Sequence, residues 1–468
     1  MINDYINQNK IITTIKPFLK NEQAYLVGGY IRDCLLGKSG MDIDIVVPAD
    51  KGEITARALA DSIKGYFIEL DAVNKIYRVV LENKIDYIDI ADCCGKDIEE
   101  DLLRRDFTIN ALAYDLNNDV LIDICGGQKD IEDKIIKEIS VQNLFDDPIR
   151  ILRAFRFQSS LGFELSALIV DTAKKHANLL DKPAKERINT ELVKLFGGKN
   201  VVETLYSMND LNILEHIFPE VTEIRKVPKN SHHHLCLIEH SIETVNQVQN
   251  FYDMACEEVK KHLDEEFIPG QKRLAYLKIA AFLHDVGKPA TWQIEPETGR
   301  HRFIKHDTEG ANIIFPTLKN LKFSKKQILY IQKIIKNHIY PAGVVTSDDA
   351  GEKAYLRFYR KMGDDVIDLI TVAYADRMSA LGADVTQEMI EKNINGLKKL
   401  LEGYLQLKNE LKPLPKLLDG NEIMQILNIP ASKELGEIIE QLKEAQISSE
   451  VTTKQEAIKY IKNLYNIL

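Results

Sequence analysis

The sequence predicts an α/β head followed by helical segments to its last residue, and three observations carry that division. Short β-branched runs (AYLV, DIDIVV, YRVVLE, IDYIDI) alternate with helical patterns over the first ~135 residues. From about residue 136 the apolar spacing turns helical and stays so, as in RILRAFRFQSSLGF and ALIVDTAKKHANLL. Nine of the 11 histidines fall between His232 and His338, a composition shift that begins near residue 220. The expected parts are residues 1–135 (a small mixed sheet with helices), 136–222 (helical), 223–400 (helical and histidine-rich) and 401–468 (a helical tail). The tail is entered through KPLPKLLDG, where prolines and a glycine punctuate the chain.

Composition narrows the function classes. With 45% hydrophobic residues in 468, each part can bury an ordinary core. The net charge of −10 argues against a general nucleic-acid coat and leaves room only for a local basic groove. None of the six cysteines forms a CxxC pair, and Cys93 and Cys94 are adjacent, which fits a reducing compartment. No apolar run of ~20 residues is present, and the first residues carry Asp4 and no apolar h-region. The expectation is a soluble, cytoplasmic protein with no membrane partner.

The first chemistry-bearing stretch is LVGGYIRDCLLGKSGMDIDIVV, residues 26–47. DIDIVV alternates as a half-buried strand does, so Asp42 and Asp44 share one face and Ile43 and Ile45 the other. Two carboxylates side by side repel, and a hard divalent cation such as Mg²⁺ relieves that repulsion with phosphate oxygens as further ligands. Gly28 and Gly29 end a strand ahead of a helical stretch, where backbone can approach an anion closely. Paired acids and glycine turns are each common on solvent-facing surfaces. Together, at this spacing, they point to phosphoryl or nucleotidyl transfer. IDYIDIAD offers Asp86, Asp89 and Asp92 as a third carboxylate, and Asp89 is the choice, on the face opposite Ile88 and Ile90.

Arginines follow. EEDLLRRDFTINALAYDL carries Arg104, Arg105, Asp106 and Asn110, and DDPIRILRAFRF carries Asp147 with Arg150, Arg153 and Arg156 at three-residue steps. Asp147 and Arg150 at i, i+3 are expected on one helical face, with Pro148 in the first turn. Such a pair is ordinarily a surface ion pair worth a few tenths of a kcal/mol. It can also read the edge of a base, one partner accepting and the other donating.

Taken together, VGGYIRD, DIDIV, RRDFTINALAYD, DPIRILRAFRF and KERINTELVKL resemble the bacterial-type (class II) tRNA nucleotidyltransferase and poly(A) polymerase family over roughly residues 20–220. The resemblance implies a nucleotidyltransferase head and a helical neck. Gly28, Gly29 and Arg32 would lie at the nucleotide, and Asp42 and Asp44 would bind catalytic Mg²⁺. Arg104, Arg105, Asp106 and Asn110 would contact ribose and phosphates. Asp147 and Arg150 would template the incoming base, Arg153 and Arg156 are further nucleotide-binding candidates, and Glu186 and Arg187 would support that helix. Asp146 stands where the family usually has Glu. The implied partners are tRNA, CTP and ATP, and the implied reaction is CCA addition or repair. Poly(A) synthesis and addition of C alone or A alone share the motifs and stay open.

The histidine-rich segment carries a second constellation. His240 (HHHLCLIEHSIETV), His284-Asp285 (AAFLHDVGKPAT) and Asp376 (AYADRMSALG) can supply four ligands from separate helices. Imidazole with carboxylate suits a transition metal such as Mn, Ni or Fe, with Mg less preferred. The order H…HD…D, with Lys288 following in HDVGK, resembles the HD metal-dependent phosphohydrolase superfamily. That resemblance implies a metal site and a phosphatase or phosphodiesterase activity, or a structural role alone. His306 and His338 are ordinary core histidines or extend the site toward a second metal. A hydrolase with an RNA-binding head is the reading from another class. KNLKFSKKQILYIQKIIK, with six lysines and Phe323 and Tyr330 among them, is either a phosphate-contacting face or a plain solvated helix. Lys174, Lys175, Arg225, Lys226 and Lys229 are further basic candidates, and the tail resembles the family's tail only in part. The sequence leaves the oligomeric state open.

Overall fold

A computed structural model describes residues 2–20, 22–38, 40, 42–229, 234–347, 351–411, 415–448 and 450–465. His232 and His233 of the HHH run therefore lie outside the described residues. The chain forms two compact units, Met1–Pro219 and Glu220–Leu468. No described helix is long and apolar enough to cross a membrane.

The first unit is built on a seven-stranded mixed sheet. Its strands are β1 (Tyr25–Val27), β2 (Ile43–Val47), β3 (Tyr66–Asp71), β4 (Ile76–Val80), β5 (Tyr87–Asp92), β6 (Ala113–Asp115) and β7 (Val120–Ile122). Their spatial order is β3-β4-β5-β2-β1-β6-β7. Only β2 and β5 run parallel, because the chain between them crosses over through the helix Gly52–Ser62 and the hairpin β3–β4. Alternation decides which face is buried: Ile43, Ile45 and Val47 of β2 and Ile88 and Ile90 of β5 are fully buried. Helix Gly52–Ser62 packs on the sheet through Ala56, Leu59 and Ala60. The opposite face carries Asp44 and Asp89.

Helices complete this unit. Ile149–Leu161 packs against Lys185–Phe196 and Val201–Asp210. Asp147 does not belong to that helix. Pro148 disfavours helical backbone at the residue before it, and Asp147 is extended at φ −137°, ψ 89°. The expected i, i+3 pair on one helical face is thereby corrected.

The second unit is helical. Leu237–Met254, Arg273–Leu283, His306–Asn320, Lys325–Asn337 and Val366–Ser379 pack on one another. Arg273–Leu283 is apolar nearly all round and sits in the middle, with every residue from Leu274 to Leu283 buried. Lys325–Asn337 is amphipathic. Ile328, Ile331, Ile334 and Ile335 face the core, and both Phe323 and Tyr330 are buried with them. The aromatics in the lysine-rich stretch are therefore core residues and not a stacking surface for bases. The tail helices Gly420–Leu427, Lys433–Ile447 and Lys454–Tyr465 share a small apolar core of their own around Ile423, Ile438 and Ile461.

Candidate functional site

Strand pairing assembles the carboxylates of the first unit. In the parallel pair β2–β5, Asp44 lies directly opposite Asp89. Asp42 precedes β2 and accepts a hydrogen bond from the Tyr87 hydroxyl at 2.9 Å. Burial, with Asp89 and Asp42 adding their charge, pushes Asp44 up to about 6, against the pull of Arg105 and Arg78. Burial and the nearby charges of Asp89 and Asp42 work against ionised Asp44, and a divalent cation would relieve both. The other acids of IDYIDIAD serve turns. Asp86 accepts from Asn83, and Asp92 accepts from the backbone N–H of Asp50 and Gly52. Asp89 is forked by Arg78 at 2.7 and 2.8 Å.

Gly28 shows why glycine is needed beside this face. It has φ +71°, and a Cβ there would stand 3.3 Å from Arg105 Nη1 and 4.0 Å from Asp44 Oδ2. Its N–H is bonded to Leu112 O at 3.2 Å, so its contribution is clearance and not a donor. Gly29 opens the next helix, 3.5 Å from Arg32 Nη2 measured to its absent Cβ.

A buried acid organises the arginines. Asp101 has no exposed side-chain surface, takes Arg104 on one oxygen and Arg105 on the other, and fixes both guanidiniums. Burial raises its pKa, and the two guanidiniums outweigh burial and bring it below the usual carboxylate range. A continuous chain of contacts then runs from Arg32 to Asn110 (2.7 Å), Asn110 to Asp106 (3.0 Å), Arg153 to Asp106 (2.7 Å) and Arg153 to Glu191 (3.0 Å), with Arg156 also on Glu191 (3.0 Å). Asp106 is buried and also accepts from the Phe107 N–H, so it orients Asn110 and Arg153.

Asp147 and Arg150 are only loosely paired, at 3.9 Å. Arg187 instead forks Asp147 at 2.9 and 2.7 Å, and Arg150 donates to the carbonyls of Arg105 and Asn143. Glu186 is exposed. Sequence reasoning missed Asp101, Arg78, Asn143 and Glu191. Asp101 was readable, since it stands at i, i+3 and i, i+4 to the two arginines. Arg78 and Glu191 had no local signal.

The second unit gathers the histidines. One atom from each of His240, His284, Asp285 and Asp376 lies within 4.8 Å of the others, and the same holds for Asp285, His306 and His338. Asp285 joins the two groups. Its Oδ2 is 3.3 Å from His240 Nε2 and 3.2 Å from His284 Nε2, and its Oδ1 is 3.3 Å from His306 Nε2 and 3.9 Å from His338 Nε2. In His284, His306 and His338, Nδ1 is 2.7 Å from the carbonyl three residues earlier (Ala281, Phe303, Ile335). That contact places the ring proton on Nδ1 and leaves the Nε2 lone pair pointing inward. The Nε2 lone pairs of His306 and His338 then face each other at 3.2 Å, and His240 Nε2 lies 3.3 Å from His284 Nε2. In that tautomer His306 and His338 cannot be joined by a hydrogen bond, and a shared cation resolves the contact. Burial opposes charge on His284, yet Asp285 and Asp376 push it up to about 10. Burial and the neighbouring His284 hold His338 down to about 4, a neutral ligand.

Lys288 stands 2.5 Å from Asp285 Oδ2. Gly287 makes the geometry possible, because a Cβ there would lie 2.1 Å from the His306 carbonyl and hold that helix off the turn. Three of the lesser basic candidates are paired with acids: Lys175 with Asp171, Lys226 with Glu223 and Lys229 with Glu239.

The chain matches three family models: the poly A polymerase head domain over residues 24–137, the probable RNA and SrmB-binding site of polymerase A over 162–225, and the HD domain over 237–381. The fold is similar to that of the Thermotoga maritima CCA-adding enzyme in its complex with tRNA, at a TM-score of 0.57 and 21% identity over 99% of this chain and 98% of that one. A CC-adding tRNA nucleotidyltransferase of Thermus thermophilus is 29% identical over 95% of this chain and 94% of its own. An A-adding tRNA nucleotidyltransferase of Deinococcus radiodurans is 30% identical over 94% of this chain and 95% of its own. Likeness on that scale, across a head, an RNA-binding segment and an HD domain in one order, settles the family: the chain belongs to the tRNA nucleotidyltransferases.

Proposed function

We propose that the first unit transfers CMP from CTP and AMP from ATP to the 3′ end of tRNA, completing or repairing a CCA end. The observation that carries this is the shared face of Asp42, Asp44 and Asp89 beside Gly28 and the two guanidiniums held by Asp101. Asp42 and Asp44 would hold two Mg²⁺ ions, which neutralise phosphate charge and make the attacking hydroxyl more acidic. The chain's own residues do the rest. Gly28 leaves room for the triphosphate, Arg32, Arg104 and Arg105 meet its negative oxygens, and Asn110 is held at the ribose by Asp106. The RNA 3′-oxygen bonds to the α-phosphorus, the α–β anhydride bond breaks, pyrophosphate leaves and the hydroxyl proton passes to solvent. Asp147, fixed by Arg187, and Arg150 select the base, and Arg153 and Arg156 hold their helix to Glu191.

The division into head (1–135), neck (136–222), HD part (223–400) and tail (401–468) is the frame of this reading. In the HD part, His240, His284, Asp285 and Asp376 would hold one transition-metal ion (Mn, Ni or Fe), and Asp285, His306 and His338 could hold a second, for hydrolysis of a phosphate ester. Transition-metal analysis tests the count: two such ions per chain in the wild type and one in His338→Ala support it, and equal content in both contradicts it. The compartment is the cytoplasm, in keeping with six free cysteines.

A second reading has its own support. Relatives matched over nine-tenths of both chains are named A-adding or CC-adding, so this chain adds either the whole CCA or one part of it. Transcripts lacking one, two or three terminal nucleotides, given Mg²⁺ and labelled CTP and ATP, decide between them. Growth to CCA followed by arrest supports the full reaction. Arrest after CC, or A added only to ends already carrying CC, selects the partial one. Long A tails would move the assignment to poly(A) synthesis, and phosphate release with no growth would leave only a hydrolase.

A further inference from the structure

The face of the sheet that carries the carboxylates continues beyond them to an open edge. Register partners in a sheet point to the same side. One row therefore runs Asp44–Asp89–Arg78–Ile68 across β2, β5, β4 and β3. A second row runs Tyr87–Val80–Tyr66, and the Tyr87 hydroxyl ties it to Asp42. At the far end of the rows Tyr66 is 51% exposed and Ile68 44% exposed, on the edge strand. The other face of β3 behaves differently. Phe67 is covered by Arg57 at 3.9 Å and stacks on Tyr77. The exposed row is thus an apolar apron on the reactive face alone, with cations beside its rings: Arg78 lies 3.7 Å from the Tyr87 ring centroid and Lys84 5.5 Å from that of Tyr66.

The chemistry of transfer says what comes from that side. An in-line displacement puts the attacking oxygen and the departing pyrophosphate on opposite sides of the α-phosphorus. Gly28, on the β1 side of Asp44, and Arg105 beside it mark where the triphosphate lies. The attacking 3′-hydroxyl then arrives from the β5–β4–β3 side, over the apron. Rings flanked by cations are what a sequence-tolerant single-stranded RNA platform consists of. Three strand steps of ~4.8 Å span about 14 Å, the length of about four stacked nucleotides at ~3.4 Å each.

We propose that Tyr66 and Ile68, with Tyr87 and Arg78 between them and the carboxylates, form a platform on which the single-stranded 3′ end of the acceptor RNA stacks. This rests on the transferase reading of the head. Tyr66 and Ile68 are positioning residues: they touch the acceptor strand and not the reacting atoms. The test uses the full chain with Tyr66→Ser and Ile68→Ser together, and Tyr66→Phe as the conservative control. Both side chains are half-exposed, so folding is spared, and far-UV circular dichroism checks it. Two readouts are needed: steady-state KM for a tRNA transcript and for the nucleotide, and anisotropy of an acceptor-stem hairpin labelled on its 5′ end, which reports binding without catalysis. The double variant is expected to raise both the RNA KM and the hairpin Kd about ten-fold. The nucleotide KM and the sedimentation coefficient stay unchanged, and Tyr66→Phe behaves as wild type. An unaltered RNA KM and Kd overturns the platform. So does an equal rise in nucleotide KM, or a change of oligomeric state, which would make the edge a contact between copies. If the wild type extends no transcript yet its hairpin Kd still depends on Tyr66, the transferase reading fails and the RNA surface stands.

Discussion

Arg153 joins two buried carboxylates of the first unit. It forks Asp106 through Nε (2.9 Å) and Nη2 (2.7 Å) and reaches Glu191 through Nη1 (3.0 Å), and both acids are only 8% exposed. Arg153→Met keeps the aliphatic stem and removes the charge, leaving two buried carboxylates short of a partner. Breaking a buried pair from one side costs about 3–5 kcal/mol. The low end, about 3 kcal/mol, applies here, because Arg153 is 30% exposed and Arg156 still holds Glu191. The assay must report this unit alone. The single tryptophan, Trp292, lies in the other one. Hydrogen exchange in Ile149–Leu161 is the readout, with protection falling about 100-fold while the Trp292 transition stays put.

The pH dependence gives a second handle on the same residue. Burial pushes Asp106 up, but Arg153, Asn110 and the Phe107 N–H outweigh it and hold the carboxyl below its usual range. A depressed native pKa stabilises fully above the unfolded value of ~3.9, and that stabilisation is lost as pH falls through the native pKa. In Arg153→Met the main depressing partner is gone and burial remains, so the carboxyl protonates at higher pH and its cost fades. The gap between variant and wild type therefore narrows as pH is lowered from 7 toward about 4. A loss below about 1 kcal/mol, or a gap that does not change with pH, refutes the buried-charge argument.

Two other substitutions separate positioning from stability. Asp101→Asn keeps the shape but frees Arg104 and Arg105 from their charged anchor, and nucleotide KM is expected to rise about ten-fold; an unchanged KM in steady-state assays would mean that the arginines are not aimed by Asp101. Arg187→Ala removes an ion pair whose arginine is 53% exposed, so the midpoint of chemical denaturation should move by less than about 1 kcal/mol in stability. The ratio of kcat/KM for CTP over ATP should shift about ten-fold at the same time, since Asp147 loses its clamp; an unmoved ratio removes Asp147 from base selection.

What the sequence made legible follows from how local the signal was. DIDIVV announced two same-facing carboxylates because strand alternation is a two-residue property, and β2 has that pattern. Choosing Asp89 over Asp86 and Asp92 also followed from alternation, and the parallel register places it opposite Asp44. Asp147 with Arg150 went astray because counting residues assumed one helix through Pro148. The proline ends that assumption at Asp147, whose partner comes from a helix 40 residues on. The adjacent His284 and Asp285 marked the second centre from sequence. The meeting of His306 and His338 on the far oxygen of Asp285 is a tertiary event, and the glycine at 287 lets the His306 helix close onto the turn after Asp285. In KNLKFSKKQILYIQKIIK the lysines were visible, but only packing showed that Phe323 and Tyr330 point into the core.

The central claim is that transfer belongs to the carboxylate face of the first unit and is chemically independent of the histidine centre in the second. Single-turnover incorporation of labelled nucleotide into a tRNA transcript, measured for Asp44→Asn and Asp285→Asn in the full chain, tests it most directly. The account predicts no incorporation by Asp44→Asn and a wild-type rate for Asp285→Asn, with bound transition metal lost only from the latter. Normal incorporation by Asp44→Asn, or its loss in Asp285→Asn with the fold intact, would contradict it.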